Sequence, residues 1–382
     1  MKRKTWMRSA LMYAMVFMAC FGVLHVLKTL MEPSGPVSVE SRESGGPEGT
    51  REAKTGEEWE ELAGPALATD SQAQEPQDEV IRQEGYKEWK KKFPGMWTPP
   101  QAPEEPYIPP RLILATDLHY QSALAGDGGE AFRLFVERSD GKVVQYLPEL
   151  LEAFLDEVIE ERPSALVLSG DITMNGERLN HEELAARLKR VQDAGIQVLV
   201  IPGNHDINNH DASVYYGARK EPAPYIDGPE FHEIYHEYGY DQALSRDDSS
   251  LSYVYALDDR NWLLMLDSCQ YEPDNKVEGR LKDSTMSWAD EQLARAKEEG
   301  VFVIPIAHHN LLAQSRMYTT QCAMDNNKEV ISLLQKYELP LFFSGHLHVQ
   351  RIRKHKSEPG VPEGNYGIQE IVTDALSIPP CQ

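Results

Sequence analysis

The chain has 382 residues, and its 61 acidic and 38 basic residues give a formal net charge of −23 at pH 7. This negative charge argues against a protein that coats nucleic acid, and we expect no binding to a nucleic-acid polymer. The length accommodates an anchor, a linker and one large domain. The four cysteines are scattered without a Cys-x-x-Cys pair, so the sequence predicts neither a zinc knuckle nor a disulfide scaffold.

Residues 1–31 combine a basic tip with an apolar segment. Residues 9–27 carry no charge and follow the basic side chains of Lys2, Arg3, Lys4 and Arg8. The segment is long enough for a tilted crossing of a bilayer core roughly 30 Å thick. Because the basic residues lie on its amino-terminal side, the positive-inside rule predicts a single-pass cell-membrane protein whose remaining residues lie outside the cytoplasm. A cleaved signal peptide and lipidation at Cys20 are the alternatives.

Residues 32–105 are rich in Pro, Gly and Glu, a composition that buries too little apolar surface to offset the entropy of ordering. They predict a disordered, acidic linker. Within it, the pattern of residues 78–93 is compatible with a short helix. Trp89, Phe93 and Trp97 either dock on the following domain or stay part of the linker. The large domain is therefore expected at residues 106–382.

The domain starts with alternating strands and helices. Apolar runs predict strands at residues 112–116, 165–169 and 197–201, separated by amphipathic helices at 144–161 and 182–194. This βαβαβ order predicts an α/β fold in which parallel strands are covered by flanking helices.

The second half of the domain continues the alternation after an insertion at residues 208–250, which is rich in Tyr, Pro and Gly. Residues 252–257 and 261–266 predict a hairpin that starts a second sheet. Further patterns predict strands at 301–307, 341–344 and 367–373, and helices at 287–299 and 326–337.

Polar side chains follow five of the predicted strands at their carboxyl ends, where α/β sheets bind ligands. They are, in strand order, Asp117 and His119; Asp171; Asn204, His205 and Asp206; His308 and His309; and His346 and His348. Carboxylate, imidazole and amide oxygen are ligands for borderline or hard divalent metals. Seven of these ten residues form a set that is too large for one ion: Asp117, His119, Asp171, Asn204, His308, His346 and His348. Seven ligands suit two ions, roughly 3.5–4 Å apart, with one bridging carboxylate.

The ordered motifs Asp-x-His, Gly-Asp, Gly-Asn-His-Asp, His-His and Gly-His-x-His resemble the calcineurin-like metallophosphoesterase family, over about residues 111–377. Within it, they are similar to bacterial class III cyclic nucleotide phosphodiesterases. The resemblance implies a two-sheet sandwich and two divalent ions (Mn, Fe or Zn). It assigns the first ion to Asp117, His119, Asp171 and His348. It assigns the second ion to Asp171, Asn204, His308 and His346, with Asp171 bridging.

The same resemblance implies hydrolysis of small phosphate esters, in particular phosphodiesters such as 3′,5′-cyclic nucleotides, by a hydroxide that bridges the metals. His205 is surplus to the ligands and suits a general acid. Asp206 either orients that imidazole or caps a turn. His309 is expected to pack behind the ligands. Arg316 and Arg351 are further candidates for binding the phosphate group of the substrate.

Residues outside the motifs have simpler expectations. The histidines there are predicted at the surface: His181, His210, His232, His236 and His355. The tyrosines of the insertion either pack within it or flank the site and stack on a base: Tyr215, Tyr216, Tyr225, Tyr235, Tyr238 and Tyr240.

Several alternatives stay open. Phosphomonoesters, nucleotide-sugars and cell-wall phosphodiesters are other substrate classes. A catalytically inactive, metal-stabilised binding protein on the cell surface is a different function class, although its usual signature, a lost ligand or a lost His205, is not seen. Members of the family usually continue beyond the last predicted strand, so whether the sequence is a fragment stays open.

Overall fold

The structure, a computed structural model, describes residues 107–314, 321–355 and 367–378. The predictions for the membrane segment 9–27, the linker 32–105 and Arg316 therefore lie outside the described residues. Within the described ranges, no helix is long and apolar enough to cross a bilayer.

The described chain contains six α-helices and twelve β-strands. The helices are α1 (Glu130–Glu137), α2 (Leu147–Glu161), α3 (Arg178–Asp193), α4 (Gly228–Tyr235), α5 (Asp283–Glu299) and α6 (Asn327–Lys336). The strands are β1 (Leu112–Ala115), β2 (Ala165–Ser169), β3 (Gln197–Ile201), β4 (Ser213–Tyr216), β5 (Arg219–Pro222), β6 (Ser245–Arg246), β7 (Tyr253–Ala256), β8 (Asn261–Leu266), β9 (Phe302–Ala307), β10 (Leu341–Ser344), β11 (Arg351–Lys354) and β12 (Gln369–Val372).

The first three strands form a small parallel sheet in the order β1-β2-β3. All of β2 and all of β3 except Gln197 are buried. Strands covered on both faces need an uninterrupted apolar sequence, which explains the runs Ala165–Ser169 and Gln197–Ile201. Helices α2 and α3 provide the crossovers, so the predicted βαβαβ core is confirmed.

Seven of the remaining strands form a second sheet in the order β11-β12-β10-β9-β8-β7-β6. Its centre is parallel, since β8 pairs with β9, β9 with β10 and β10 with β12 in that sense. The outer strands β6, β7 and β11 run antiparallel to their neighbours. The predicted β7–β8 hairpin is therefore confirmed as part of this second sheet.

The two sheets pack face to face around one hydrophobic core. Leu199 of the small sheet and Leu263 and Met265 of the large sheet belong to the same buried cluster. Tyr253 joins the sheets by polar contacts as well, because its hydroxyl accepts from the amide of Val200 and donates to the Val200 carbonyl, both at 3.1 Å. Helices α5 and α6 cover the other face of the large sheet with a second cluster. This arrangement is the expected two-sheet sandwich.

Some elements differ from the predictions. Helix α5 begins at Asp283 rather than at Ser287, and the Ser287 hydroxyl donates to the Asp283 carbonyl within the helix instead of capping its start. Helix α3 begins at Arg178, one turn before the predicted residue 182. The insertion 208–250 contains the β4–β5 hairpin and α4, whose start is fixed by a capping box between Asp227 and Glu230.

Candidate metal centre and active site

The carboxyl ends of five strands meet at one edge of the sandwich: β1, β2 and β3 from the small sheet, and β9 and β10 from the large one. The turns that follow them are unusually tight. Five of the seven predicted ligands have positive φ angles: Asp117 (52°), His119 (46°), Asp171 (47°), His346 (72°) and His348 (53°). Such backbone is sparsely populated by non-glycine residues and concentrates at functional sites.

Glycines allow these turns to approach each other. A Cβ atom on Gly203 would lie 2.1 Å from the Asp171 amide nitrogen. One on Gly345 would lie 2.0 Å from Thr116 Oγ1 and 2.6 Å from Asp117 Oδ2. Both distances are too short for real contacts, so the glycine preceding Asn204 and the one preceding His346 are required for the site to close.

The first ligand cluster consists of side chains whose donor atoms all lie within 4.8 Å of one another: Asp117, His119, Asp171 and His348. His348 Nε2 lies 3.1 Å from both Asp117 Oδ1 and His119 Nε2. Asp117 Oδ1 is buried, yet it has no partner in hydrogen-bonding geometry within the described chain. Two imidazole nitrogens and an unsatisfied carboxylate oxygen converging in this way match the donor set of a divalent metal.

The two carboxylates are anchored so that each turns one oxygen inward. Asp117 Oδ2 accepts from the His346 amide at 2.9 Å and from the Thr116 hydroxyl at 2.8 Å, which leaves Oδ1 for a ligand. Asp171 Oδ1 accepts from the His205 amide at 2.8 Å, which leaves Oδ2. Asp171 Oδ2 lies 3.9 Å from His119 Nε2 and 3.3 Å from His308 Nε2, so it stands between the two predicted sites.

The second cluster gathers around His308. Its Nε2 lies 3.2 Å from Asn204 Oδ1, while its Nδ1 contacts the Ser169 carbonyl at 3.1 Å. His346 lies beside it, with a ring distance of 5.1 Å. His346 Nε2 contacts the Gln321 carbonyl at 2.7 Å, which leaves Nδ1 for a metal.

His309 also lies in this cluster, together with His308 and His346. However, its Nδ1 pairs with the Ser268 hydroxyl at 2.8 Å and its Nε2 with the Val277 carbonyl at 3.0 Å. Because both ring nitrogens are engaged, the Asn204 oxygen is the better donor. His309 packs behind the ligands, as predicted.

Electrostatics favour metal-ready protonation states at Asp171, His119 and His346, but not at His308. Burial alone would raise the pKa of Asp171, but the His308 and His205 rings outweigh it and hold that pKa well below its ordinary value. Burial lowers the pKa of His119 strongly and that of His346 to about 4. For His308, burial lowers the pKa, but Asp171 prevails and raises it to about 9. Metal binding at Asp171 would therefore release a proton from His308.

His205 lies at the solvent side of the clusters. Its side chain is 33% exposed, against 2% for Asp171, and its ring meets that of His119 edge-on at 4.8 Å. Nδ1 faces the Met174 carbonyl at 2.8 Å and Asn175 Oδ1 at 3.0 Å. With two acceptors on Nδ1, that nitrogen carries a proton, and Nε2 faces the site 4.0 Å from Asp171 Oδ2.

The suggestion that Asp206 orients the His205 ring is wrong. The buried Asp206 carboxylate accepts from the amides of Gly203 and Thr173 at 2.8 and 2.9 Å and from the Thr173 hydroxyl at 2.7 Å. It thereby joins the turn after β3 to the turn after β2, which is the alternative structural role. Asn175 and the Met174 carbonyl hold the imidazole instead. The sequence shows Asn175 as a polar residue shortly after β2, so its role could have been considered. A contact with the Met174 carbonyl could not be predicted, because every residue has a backbone carbonyl.

Other predicted residues lie in different surroundings from those expected. His181 is fully buried rather than at the surface, because its ring contacts the Tyr235 hydroxyl and the Asp206 carbonyl at 3.0 and 2.9 Å. Arg351 lies on the exposed strand β11 and donates to the Gln314 carbonyl at 3.0 Å.

The tyrosines of the insertion mostly pack. Tyr215 stacks on Phe135 with a ring distance of 4.2 Å. Those at positions 235, 238 and 240 are buried too, so only Tyr216 and Tyr225 keep substantial exposure, at 40% and 37%.

Comparisons with known proteins agree with this geometry. The family model described as calcineurin-like phosphoesterase matches residues 110–350. A probable cyclic nucleotide phosphodiesterase of Psychrobacter arcticus is 25% identical over 250 residues, which cover 64% of this chain and 76% of that protein. The glycerophosphodiester phosphodiesterase GpdQ of Enterobacter lignolyticus is 27% identical over 192 residues, 50% of this chain and 58% of GpdQ.

Two further proteins are similar to this chain. The uncharacterized metallophosphoesterase YkuE of Bacillus subtilis is 30% identical over 110 residues, 28% of this chain and only 38% of YkuE. A dimetal phosphatase from Danio rerio has the same fold, with a TM-score of 0.50 at 16% identity, over 71% of this chain and 90% of that structure. With the family model covering more than half of its length, the chain belongs to the calcineurin-like phosphoesterase family and is a metal-dependent phosphoester hydrolase.

Proposed function

We propose that the protein hydrolyses phosphodiesters at a two-metal centre, and that 3′,5′-cyclic nucleotides are its substrate class. The observation that carries the proposal is His205, an imidazole next to the ligand clusters with a free Nε2 and a fixed Nδ1. A diester of an ordinary alcohol expels a poor leaving group, which needs a proton during bond cleavage. The relative named as a probable cyclic nucleotide phosphodiesterase supports the choice among diesters.

The described residues would hold the ions in the way the donor geometry suggests. Asp117 Oδ1, His119, Asp171 Oδ2 and His348 would hold the first ion, and Asp171 Oδ2, Asn204, His308 and His346 the second. Two divalent ions, when bound, supply charge neutralisation at the phosphoryl group and an activated water. Manganese, iron and zinc all suit nitrogen and oxygen donors.

His205 donates the proton to the leaving oxygen from Nε2. Met174 and Asn175 keep the ring in one orientation through Nδ1, so that Nε2 faces the site.

The test is a substrate panel on the full chain, loaded separately with Mn²⁺, Fe²⁺ and Zn²⁺. We expect hydrolysis of 3′,5′-cyclic nucleotides with higher kcat/KM than of phosphomonoesters, nucleotide-sugars or wall phosphodiesters. Faster turnover of any of these other esters would reject the substrate class. Two bound metals without turnover of any phosphate ester would instead favour the binding-protein alternative.

We also propose that residues 9–27 anchor the protein in the cell membrane, with the hydrolase domain outside the cytoplasm. The one-sided basic flank and the acidic composition of residues 32–105 support this topology. Protease added to intact cells should release an active fragment into the medium. Protection of the protein until the cells are lysed would reverse the topology.

A further inference from the structure

The described chain enters the domain beside the turn between β7 and β8. The Tyr107 hydroxyl donates to Asp258 Oδ2 at 2.8 Å, and the Arg260 guanidinium lies 4.3 Å from the centre of the Tyr107 ring. The Arg260 carbonyl in turn accepts from the Phe302 amide at 2.8 Å, at the start of β9. Tyr107 therefore fixes the preceding chain near the amino-terminal end of β9, at the opposite end of that strand from His308.

An apolar cavity of about 130 Å³ lies at this same edge of the large sheet. Its walls come from the last turns of α5, the first residues of β9 and the connection between α6 and β10, and they include Leu293, Ala296, Val301, Phe302, Leu339 and Pro340. Apolar cavities of roughly 150 Å³ bind a benzene-sized ring. The size and the lining of this cavity are therefore suited to one aromatic side chain.

Aromatic side chains occur in the sequence shortly before Tyr107. We call residues 86–97 the aromatic segment, since it contains Trp89, Phe93 and Trp97. The proline-rich residues 98–106 join it to Tyr107, and such sequence extends by about 3.1 Å per residue. At the cavity, Phe302 pairs with Asn261 across one strand spacing of about 4.8 Å. The joining residues are therefore long enough for the aromatic segment to reach the cavity.

Charge also favours the aromatic segment as the occupant. Helices α5 and α6 both end at the cavity, and the carboxyl end of a helix carries partial negative charge. The exposed Glu298 in the last turn of α5 and Glu338 in the cavity wall form no ion pair within the described part of the chain. Lys297 also lines the cavity and offsets part of this negative charge. The aromatic segment has one acidic residue, Glu88, and four basic ones: Lys87, Lys90, Lys91 and Lys92.

We propose that the aromatic segment docks on this cavity and inserts one of its rings between the ends of α5 and α6. The docked segment holds the domain at the edge opposite the metal centre, because β9 has six residues, and about 3.3 Å per residue separates the cavity from His308 by roughly 20 Å. The mouth of the site stays clear, so the inference is independent of the proposed function.

Hydrogen exchange followed by mass spectrometry on the full chain tests the proposal without any turnover. We expect the amides of residues 89–97 to exchange at least about tenfold more slowly than those of residues 55–63, which surround Trp59. Exchange that is equally fast in both stretches would overturn the proposal. Protection of the cavity walls, residues 300–303 and 337–339, that grows with protein concentration would also overturn it, because a second copy would then be the occupant.

A variant of the full chain tests the role of the rings. Joint replacement by Trp89→Ala, Phe93→Ala and Trp97→Ala should remove the protection of the aromatic segment and speed exchange at the cavity walls by about tenfold. Trp59→Ala is the matched control and should change neither. Unchanged exchange at the cavity walls in the triple variant would overturn the proposal. Faster exchange throughout the domain, including the buried strand β2, would overturn it too, because the rings would then support the fold as a whole.

Discussion

The two sheets contribute unequally to the centre. The small sheet supplies both carboxylates, the amide oxygen and one imidazole, from Asp117, Asp171, Asn204 and His119. The large sheet supplies only imidazoles, from His308, His346 and His348. Both carboxylates of the clusters therefore belong to the small sheet, and each proposed ion would have ligands from both sheets.

In the proposed assignment, this division makes the two ions different. The first would take three ligands from the small sheet and one from the large sheet, whereas the second would take two from each. The second ion would thus depend more on how the sheets are held together. Asp171 would belong to both sets, so the small sheet would dominate the centre through one side chain.

The substitution with the largest expected effect on metal binding by the two sheets is Asp171→Asn. We expect it to lower the occupancy of both ions and to reduce kcat by more than about 10³-fold, because each ion contributes several kcal/mol of transition-state stabilisation. Asn204→Ala removes a ligand of the second ion alone and should lose less. Metal analysis and kinetics on the two variants test this order. Two ions retained per chain in Asp171→Asn would show that Asp171 does not bridge.

A second test separates chemistry from metal binding on the small sheet. His205→Ala should keep both ions and lose about 10²–10⁴-fold on a ribose ester, whose alkoxide needs a proton. The loss should be far smaller on a nitrophenyl ester, because nitrophenolate leaves readily without one. Equal losses on both substrates, with metal content unchanged, would mean that His205 binds the phosphoryl group instead. A missing ion would make it a ligand.

The prediction with the smallest expected effect concerns Glu370 in the large sheet. Glu370 on β12 accepts from the amides of Leu311 and Leu312 at 2.7 and 2.8 Å and from the Ser344 hydroxyl at 2.8 Å. It thereby links the segment after His308 to the end of β10. Burial raises the pKa of Glu370 to about 7, from an ordinary value of 4.5.

Because the folded pKa is raised, the native state binds more protons than the unfolded chain between these two values. The stability contributed by neutral Glu370 is complete below pH 4.5 and is lost as the pH rises through about 7. The unfolding free energy of the parent, relative to Glu370→Gln, should thus fall by about 1–3 kcal/mol from pH 5 to pH 8. Denaturation curves at both pH values test this, with the exposed Glu329→Gln as the control. A constant difference between parent and Glu370→Gln would contradict it.

The sequence predicted well which side chains come together at this edge, because each follows an apolar run that ends abruptly in polar residues. Such strand ends can be recognised in the sequence without knowing how the sheets pack. The sheet assignment was less accessible: nothing in the runs at 197–201 and 301–307 says that one lies in the three-stranded and the other in the seven-stranded sheet. That division depends on long-range pairing.

What sequence reasoning missed depends on tertiary contacts. His181 looked like a surface residue, but α3 begins earlier than predicted and turns its ring under the Asp206 carbonyl. The acceptors of His205 and His346 are partly backbone carbonyls, of Met174 and Gln321, which any residue type carries. The capping box at Asp227 and Glu230 was a readable signal for α4.

The left-handed backbone of five ligands has a consequence for laboratory evolution. Each non-glycine residue in that region carries conformational strain of about 1–3 kcal/mol, less for Asp, which tolerates it better than most. Glycine at Asp117, His119 or His348 would relieve the strain while removing a ligand. Selection for heat resistance alone would therefore draw the sequence toward an inactive scaffold, whereas selection that alternates heat challenge with turnover would keep these turns and place the stabilising changes elsewhere.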